Sequence, residues 1–182
     1  MKATFIGNCN TINWQALIDE LQNKDGDVRS YGGNFYHNDD GRFDEIINLW
    51  KTAGYDKSGT VEWINYYPGK HFDASVIKQF EEYTNTECIR AWISKVRPGR
   101  YAPYHKDIDD DEELYLARGE LVRYTAHPSI SEKGQVFIVE DSVLHLEEQG
   151  NVYQWPSYRA YHAGGNCSFK PKFLFNFLGI KK

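Results

Sequence analysis

His105 and Asp107 lie two residues apart in RPGRYAPYHKD, residues 97–107, a segment that reads as a strand. Residues i and i+2 of a strand point to one face, so an imidazole and a carboxylate aim into the same space. A second imidazole, His162 in AYHAGGN, arrives on another strand-like segment near the end of the chain. Two His and one carboxylate on one side of a metal leave the opposite positions open, the ligand set of a non-haem Fe(II) oxygenase. A structural zinc site would want four protein ligands, often Cys. Cys9, Cys88 and Cys167 stand at no ligand spacing.

His-x-Asp occurs three times, so the spacing alone decides nothing. His37 and Asp39 fall among Gly32-Gly33 and HNDDG, which is turn chemistry. His71 and Asp73 follow the Pro68-Gly69 break and precede an amphipathic helix with Val76, Ile77, Phe80 and Tyr83 apolar, so a turn and an N-cap are open to them. Only His105 and Asp107 open a run of strands.

The elements that must position them begin with a short strand over 2–6 and a helix over 13–23. Asn13 caps that helix, and Trp14, Leu17, Ile18 and Leu21 share one face. A second helix spans 44–51, with Phe43, Ile46, Ile47 and Trp50 apolar, and a strand spans 60–67. From residue 86 helical periodicity fades. Strands are expected over 88–96, 101–108, 119–127, 134–140, 142–147, 150–155, 158–163 and 170–180, with Gly164-Gly165-Asn166 as a turn and the acidic run 109–113 as a solvated loop. Short strands punctuated by Gly and Pro indicate a jelly roll. The expected fold is α+β and β-rich: a double-stranded β-helix core over 86–182, with the N-terminal segment 1–85 placing its helices outside, all in one domain.

The last strand adds a fourth residue. Phe173, Phe175 and Phe177 share one face, suited to packing against an N-terminal helix, and Lys172 and Asn176 share the other. That puts Lys172 inside the roll. A buried Lys is costly unless it meets an anion, so Lys172 asks for a carboxylate. Arg123, Thr125 and His127 alternate onto one face of another strand. If that face is interior, Arg123 either grips a substrate carboxylate bidentately or pairs with Glu120 or Glu140. His127 reads as structural, Asn166, Tyr104 and Trp155 as pocket walls, with core packing also open to Trp155.

Composition bounds the rest. The chain has 182 residues, enough for a substantial core, and its 13 Tyr, 10 Phe and 5 Trp against one Met favour bulky packing between sheets. A net charge of −5 argues against a general nucleic-acid binder. Three widely spaced Cys fit reduced thiols in a cytoplasmic protein. MKATFIGNCNT is too short in apolar residues for a signal peptide, and no stretch reaches the length of a membrane span.

His105-x-Asp107, His162 and Lys172 ten positions later together resemble the Fe(II)/2-oxoglutarate-dependent dioxygenase superfamily, closest to its prolyl-4-hydroxylase-type branch. GQVFIVE at 134–140 and GNVYQWPS at 150–157 resemble that branch's glycine-led strand and its segment leading to the second His. The likeness covers 88–179. Gln135 stands where the branch has a second glycine, and Trp155 where it has Phe. Ser94 and Arg123 give a partial likeness to the aspartyl/asparaginyl β-hydroxylases, which lack the Asp ligand and use Arg in place of Lys172. The resemblance implies that His105, Asp107 and His162 bind Fe(II). It implies that 2-oxoglutarate is the co-substrate, its far carboxylate on Lys172 with a hydroxyl from Thr125 or Tyr124 and a contact from Ser94. It implies that O2 is consumed, succinate and CO2 are released, and a peptidyl residue or small amino-acid-like substrate is hydroxylated. Two other readings fit the same residues: a cupin-type metal protein without 2-oxoglutarate, and a binding module without catalysis.

Overall fold

The computed structural model describes residues 1–30, 41, 44–54, 60–107 and 111–182. The first part of the chain runs β1 (Thr4–Asn8), α1 (Trp14–Gln22), β2 (Asp27–Ser30), α2 (Asp44–Thr52), β3 (Glu62–Tyr66) and α3 (Ser75–Thr84). Then come β4 (Thr86–Val96), β5 (Arg100–His105), the short α4 (Glu112–Leu116), β6 (Leu121–Ala126), β7 (Gln135–Val139), β8 (Ser142–Leu144), β9 (Asn151–Gln154), β10 (His162–Asn166) and β11 (Lys172–Lys181).

The last eight strands pair by nesting. β4 pairs with β11, β5 with β10, β6 with β9 and β7 with β8, every pair antiparallel. A chain doubled on itself and rolled in this way is a jelly roll. Its strands divide between a seven-stranded sheet, order β1-β9-β6-β11-β4-β3-β2, and a four-stranded sheet, order β5-β10-β7-β8. The N-terminal segment therefore does more than pack outside: β1, β2 and β3 extend the large sheet at both edges.

Alternation along β11 sets the two faces. Phe173, Phe175 and Phe177 join the cluster beneath the helices, where Phe80 of α3 meets Phe175 and Phe177 at 4.9 Å each and Trp14 of α1 meets Phe175 at 5.5 Å. Leu174 points the other way, into a second core with Phe137, Val139, Leu144, Trp155 and Ala160. Lys172 and Asn176 share its parity and are buried between the sheets.

The start of α1 follows the expected chemistry, whereas the N-cap of α3 is Ala74, which makes no side-chain cap, and Asp73 stands one residue before it. Asn13 Oδ1 accepts the Ala16 amide at 3.1 Å. Asp73 Oδ1 accepts the Ser75 amide at 2.8 Å and His71 Nδ1 accepts the Tyr67 amide at 2.9 Å, so both side chains are spent on the turn before α3. His37, Asp39, Gly32, Gly33 and Phe43 lie outside the described residues, as do Asp109 and Asp110 of the acidic run.

Two expectations are corrected, and one strand is added. β10 occupies His162–Asn166, four residues later than expected, because Gly164, Gly165 and Asn166 pair with β5 on one side and β7 on the other. Two partner strands override the turn preference of Gly-Gly-Asn. The described part of the acidic run enters α4, where Glu112 binds Tyr158 and Arg159 rather than only solvent. β2 forms where Asp-Val-Arg-Ser carries no strand alternation; β3 imposes it by pairing along its whole length.

Phe175 is fully buried between α1, α3 and the large sheet. Phe175→Ala should cost about 3–5 kcal/mol of folding stability, read as a lowered urea midpoint at unchanged slope.

Candidate metal centre

His105 ends β5, and β10 begins with His162 directly opposite it. The register between the two strands shifts past this pair, a bulge at the rim of the small sheet. Pro103 sits where an edge strand tolerates a missing amide donor. The expected strand over 101–108 stops at His105, so Asp107 lies two residues beyond regular pairing, yet its carboxylate still comes back onto the imidazoles. His105 Nε2 is 3.6 Å from Asp107 Oδ1, His162 Nε2 is 3.7 Å from Asp107 Oδ2, and the two rings are 4.3 Å apart. The ligand atoms all lie within 4.8 Å of one another. Among the described residues this is the one cluster of three or more His, Cys, Asp or Glu able to converge on an ion.

Each imidazole is held by a carbonyl two residues before it. His105 Nδ1 donates to Pro103 O at 2.6 Å and His162 Nδ1 donates to Ala160 O at 3.3 Å. A carbonyl can only accept, so Nδ1 carries a proton in both rings and Nε2 is the nitrogen turned to the site, the orientation that metal ligation needs. Burial and the neighbouring His105 push the His162 pKa well below the ordinary imidazole value, which keeps that ring neutral. Burial pushes Asp107 upward, but Arg123, His162 and His105 together hold its carboxyl well below the usual range. The donor set is thus two imidazoles and one carboxylate, which fits Fe(II).

Arg123 is the partner of Asp107. Its guanidinium donates to Oδ2, which leaves Oδ1 beside His105. This corrects the alternatives of Glu120 and Glu140: Glu120 pairs with Lys181, and Glu140 accepts the Tyr161 amide. Arg123 is 3% exposed and lies against two indoles, its Cζ 3.9 Å from the Trp155 ring and 5.3 Å from that of Trp92. Asp107 is the exposed member at 40%, so the site opens on its side. Trp63 stacks on His105 at 5.8 Å and Trp50 meets it edge-on at 5.7 Å. These two indoles come from the N-terminal segment, for which the sequence offered no site residue. Their signal was present: Trp50 ends the apolar stripe of a helix, and Trp63 shares a strand face with Asn65.

Behind the triad the inner face of the large sheet carries a polar row. Thr125 Oγ1 donates to Asn176 Oδ1 at 3.4 Å, Asn176 Nδ2 donates to Ser94 Oγ at 3.2 Å, and Ser94 Oγ donates to Asn65 Oδ1 at 2.9 Å. Thr125 and Ser94 therefore face the interior as expected. Tyr124 does not: it turns to the helix side, against Phe80 and Phe177, because neighbours on a strand alternate. Asn166 is no pocket wall either; its amide ties Val96 O, Lys170 O and Ser168 together. Tyr104 stacks on Tyr161 outside the small sheet, at 5.2 Å. Trp155 packs in the inner core and against His162 at 4.8 Å.

Lys172 is 2% exposed. Its Nζ donates to Val136 O and lies 5.3 Å from the Phe137 ring, which is itself 6.1 Å from the His162 ring. One phenyl ring thus separates the ligand end of the interior from its cationic end. The expected carboxylate partner is not supplied by any described residue, and burial alone pushes the lysine down to about 7. Among the described residues, the buried side-chain nitrogens and oxygens without a partner are Arg123 Nε, His127 Nε2 and Trp155 Nε1. All three belong to side chains between the sheets.

No protein-family model matches the chain, and no curated protein matches it in sequence. Solved structures do. The viral collagen prolyl hydroxylase of Paramecium bursaria Chlorella virus-1, solved as a 2OG complex, matches over 87% of this chain and 98% of its own at 16% identity and a TM-score of 0.45. A prolyl-4-hydroxylase from Pseudomonas putida matches over 93% and 100% at 10% identity and a TM-score of 0.42. A predicted oxalate decarboxylase from Thermotoga maritima matches over 65% and 81% at 12% identity and a TM-score of 0.40. Likenesses this distant leave the chemistry to the site's own geometry. Among the described residues, no helix is long and apolar enough to cross a membrane.

Lys172 yields a stability prediction with a defined sign. Its folded pKa, about 7, is below the unfolded value of 10.5. The unfolded chain therefore binds the extra proton between these limits, and the cost of burying the charge is complete below pH 7 and vanishes as pH approaches 10.5. Lys172→Met should stabilise the metal-free protein by a few kcal/mol at pH 6, with the gain fading toward pH 10. Paired urea titrations of the two proteins across that range measure it.

Proposed function

We propose that the chain is an Fe(II)- and 2-oxoglutarate-dependent dioxygenase that hydroxylates a peptidyl residue or a small amino-acid-like substrate. One observation carries the reading: Lys172, a buried ammonium with no carboxylate partner among the described residues, shares the interior with three convergent candidate ligands. A cupin that bound only a metal would have no use for that cation. A co-substrate with one end on the metal and a carboxylate at the other end gives it one.

The net conversion is R–H + 2-oxoglutarate + O2 → R–OH + succinate + CO2, one oxygen atom entering succinate and the other the product. Bound iron supplies the O2 chemistry that side chains lack. The chain's residues do the rest. His105 and His162 offer Nε2 lone pairs that Pro103 O and Ala160 O have already aimed. Asp107 gives a carboxylate whose second oxygen is held by Arg123, which keeps it ionised and oriented. Trp50, Trp63 and Trp155 close apolar surface around the imidazoles and limit water. Lys172 neutralises the far carboxylate. Arg123 keeps a buried Nε–H with no acceptor among the described residues, so a substrate or co-substrate oxygen can take it.

Purified protein supplied with Fe(II), ascorbate and 2-oxoglutarate should form succinate, and His105→Ala should abolish it. Lys172→Ala should raise the KM for 2-oxoglutarate by about 100-fold or more, the loss of a buried charge-assisted pair. Unchanged 2-oxoglutarate affinity in Lys172→Ala would rule the reading out in favour of a metal protein that does not use this co-substrate. Because the free Lys172 titrates near pH 7 and only its charged form pairs with the dianion, the KM for 2-oxoglutarate should be level below pH 7 and climb above it. A KM that is flat from pH 6 to 9 would remove Lys172 from co-substrate binding.

A further inference from the structure

We infer that His127 is a second anchor for the far carboxylate of the co-substrate, donating from Nε2 while Lys172 supplies the charge. The inference rests on the 2-oxoglutarate reading and adds a residue to it. Four observations carry it.

The first is placement. His127 follows Arg123 and Thr125 at strand spacing just past the end of β6, on the inner face. Arg123 stands at the ligand end, where it holds Asp107. The same face therefore runs from the metal centre, through Thr125, to His127. β6 and β11 are in a register that pairs Phe175 with Ala126. Continued by one residue, it sets His127 opposite Leu174 and one diagonal step from Lys172, within reach of long side chains on the same face.

The second is an unused atom. His127 is 1% exposed, and its Nε2 has no hydrogen-bond partner among the described residues. Its backbone is spent, N–H donating to Asn151 O at 2.9 Å and C=O accepting from Gly150 at 2.7 Å. Its ring rests edge-on against Tyr153 at 6.0 Å. A histidine kept only for packing would cost less as an apolar residue, since burying a polar atom without a partner is unfavourable.

The third is protonation. Burial, and then the charge of Lys172, drive His127 down to about 3, so it is neutral at physiological pH. A second cation beside Lys172 would repel it. A neutral imidazole can instead donate one proton to the carboxylate that Lys172 attracts. The fourth is a neighbour compatible with the tautomer required. Ser131 Oγ lies 3.4 Å from Nδ1. A hydroxyl that donates to Nδ1 leaves the proton on Nε2, where the interior needs a donor. Of the two hydroxyls that the resemblance implies, Tyr124 lies on the far side of the sheet and Thr125 donates to Asn176 at 3.4 Å, which leaves room for a donor from His127 Nε2.

The test uses the whole protein loaded anaerobically with Mn(II), with 2-oxoglutarate and pyruvate as calorimetric titrants. Pyruvate has the 2-oxo acid head without the far carboxylate. His127→Phe should weaken 2-oxoglutarate binding about 10- to 100-fold, the worth of a hydrogen bond to a charged group, and leave Mn(II) and pyruvate affinity unchanged. His127→Gln, which keeps an N–H donor, should recover part of the loss. In the unmutated protein loaded with Zn(II), the His127 Nε2–H NMR resonance should move on adding 2-oxoglutarate and not on adding pyruvate. Wild-type 2-oxoglutarate affinity in His127→Phe, or an unmoved resonance while 2-oxoglutarate binds, overturns the role of His127 and leaves the dioxygenase reading standing. Failure of the wild-type protein to bind 2-oxoglutarate at all overturns both.

Discussion

An ammonium buried between two sheets, with no carboxylate among the described residues to meet it, constrains this interior more than any other contact. Burial on its own brings Lys172 to the edge of losing its proton near neutral pH. An apolar residue at that position would give a more stable roll, as buried charges replaced by apolar residues generally do. The proposed co-substrate would supply the anion that this charge lacks among the described residues. Arg123 makes the contrast. It is as deeply buried, but Asp107 neutralises it, and the rings of Trp92 and Trp155 lie within cation–π range of it. One cation of the interior is paired with Asp107, and on the proposed reading the other pairs with the co-substrate.

The nested strand pairing is what brings these residues together. β5 and β10 are partners because the roll pairs its second strand with its seventh, and that pairing sets His105 against His162 across 57 residues of sequence. β6, β11 and β4 lie side by side in the large sheet, so Thr125, Asn176 and Ser94 form one hydrogen-bonded row although they come from distant segments. The Phe173, Phe175 and Phe177 face is glued to α1 and α3, which fixes the parity of β11. A register slip of one residue would expose Lys172 to the helices and bury phenylalanine at the site. The apolar packing thus has a functional consequence, because it decides which way the lysine points.

Much of the site was legible because alternation is a strong signal in a strand with two different faces. Lys172 and Asn176 could be placed inside from the three phenylalanines between them, and the triad could be assembled from spacing and strand content. The pairing of Arg123 with Asp107 was not legible, since it crosses from β6 to a residue past the end of β5 and no local pattern encodes it. The choice between Thr125 and Tyr124 needed the face of β6, which only its neighbours fix. Gly164 and Gly165 misled because their turn preference is a local property, whereas β5 and β7 pair with them from both sides. Trp50 and Trp63 were visible as apolar residues, but their contact with His105 depends on α2 and β3 meeting the roll at its rim.

The most direct test of the whole account is a crystal structure of the protein with Mn(II) and 2-oxoglutarate under anaerobic conditions. The account predicts manganese on His105 Nε2, Asp107 and His162 Nε2, with the far carboxylate of the 2-oxo acid against Lys172 Nζ. Metal held elsewhere, or a 2-oxo acid whose far carboxylate leaves Lys172 unpaired, would contradict it.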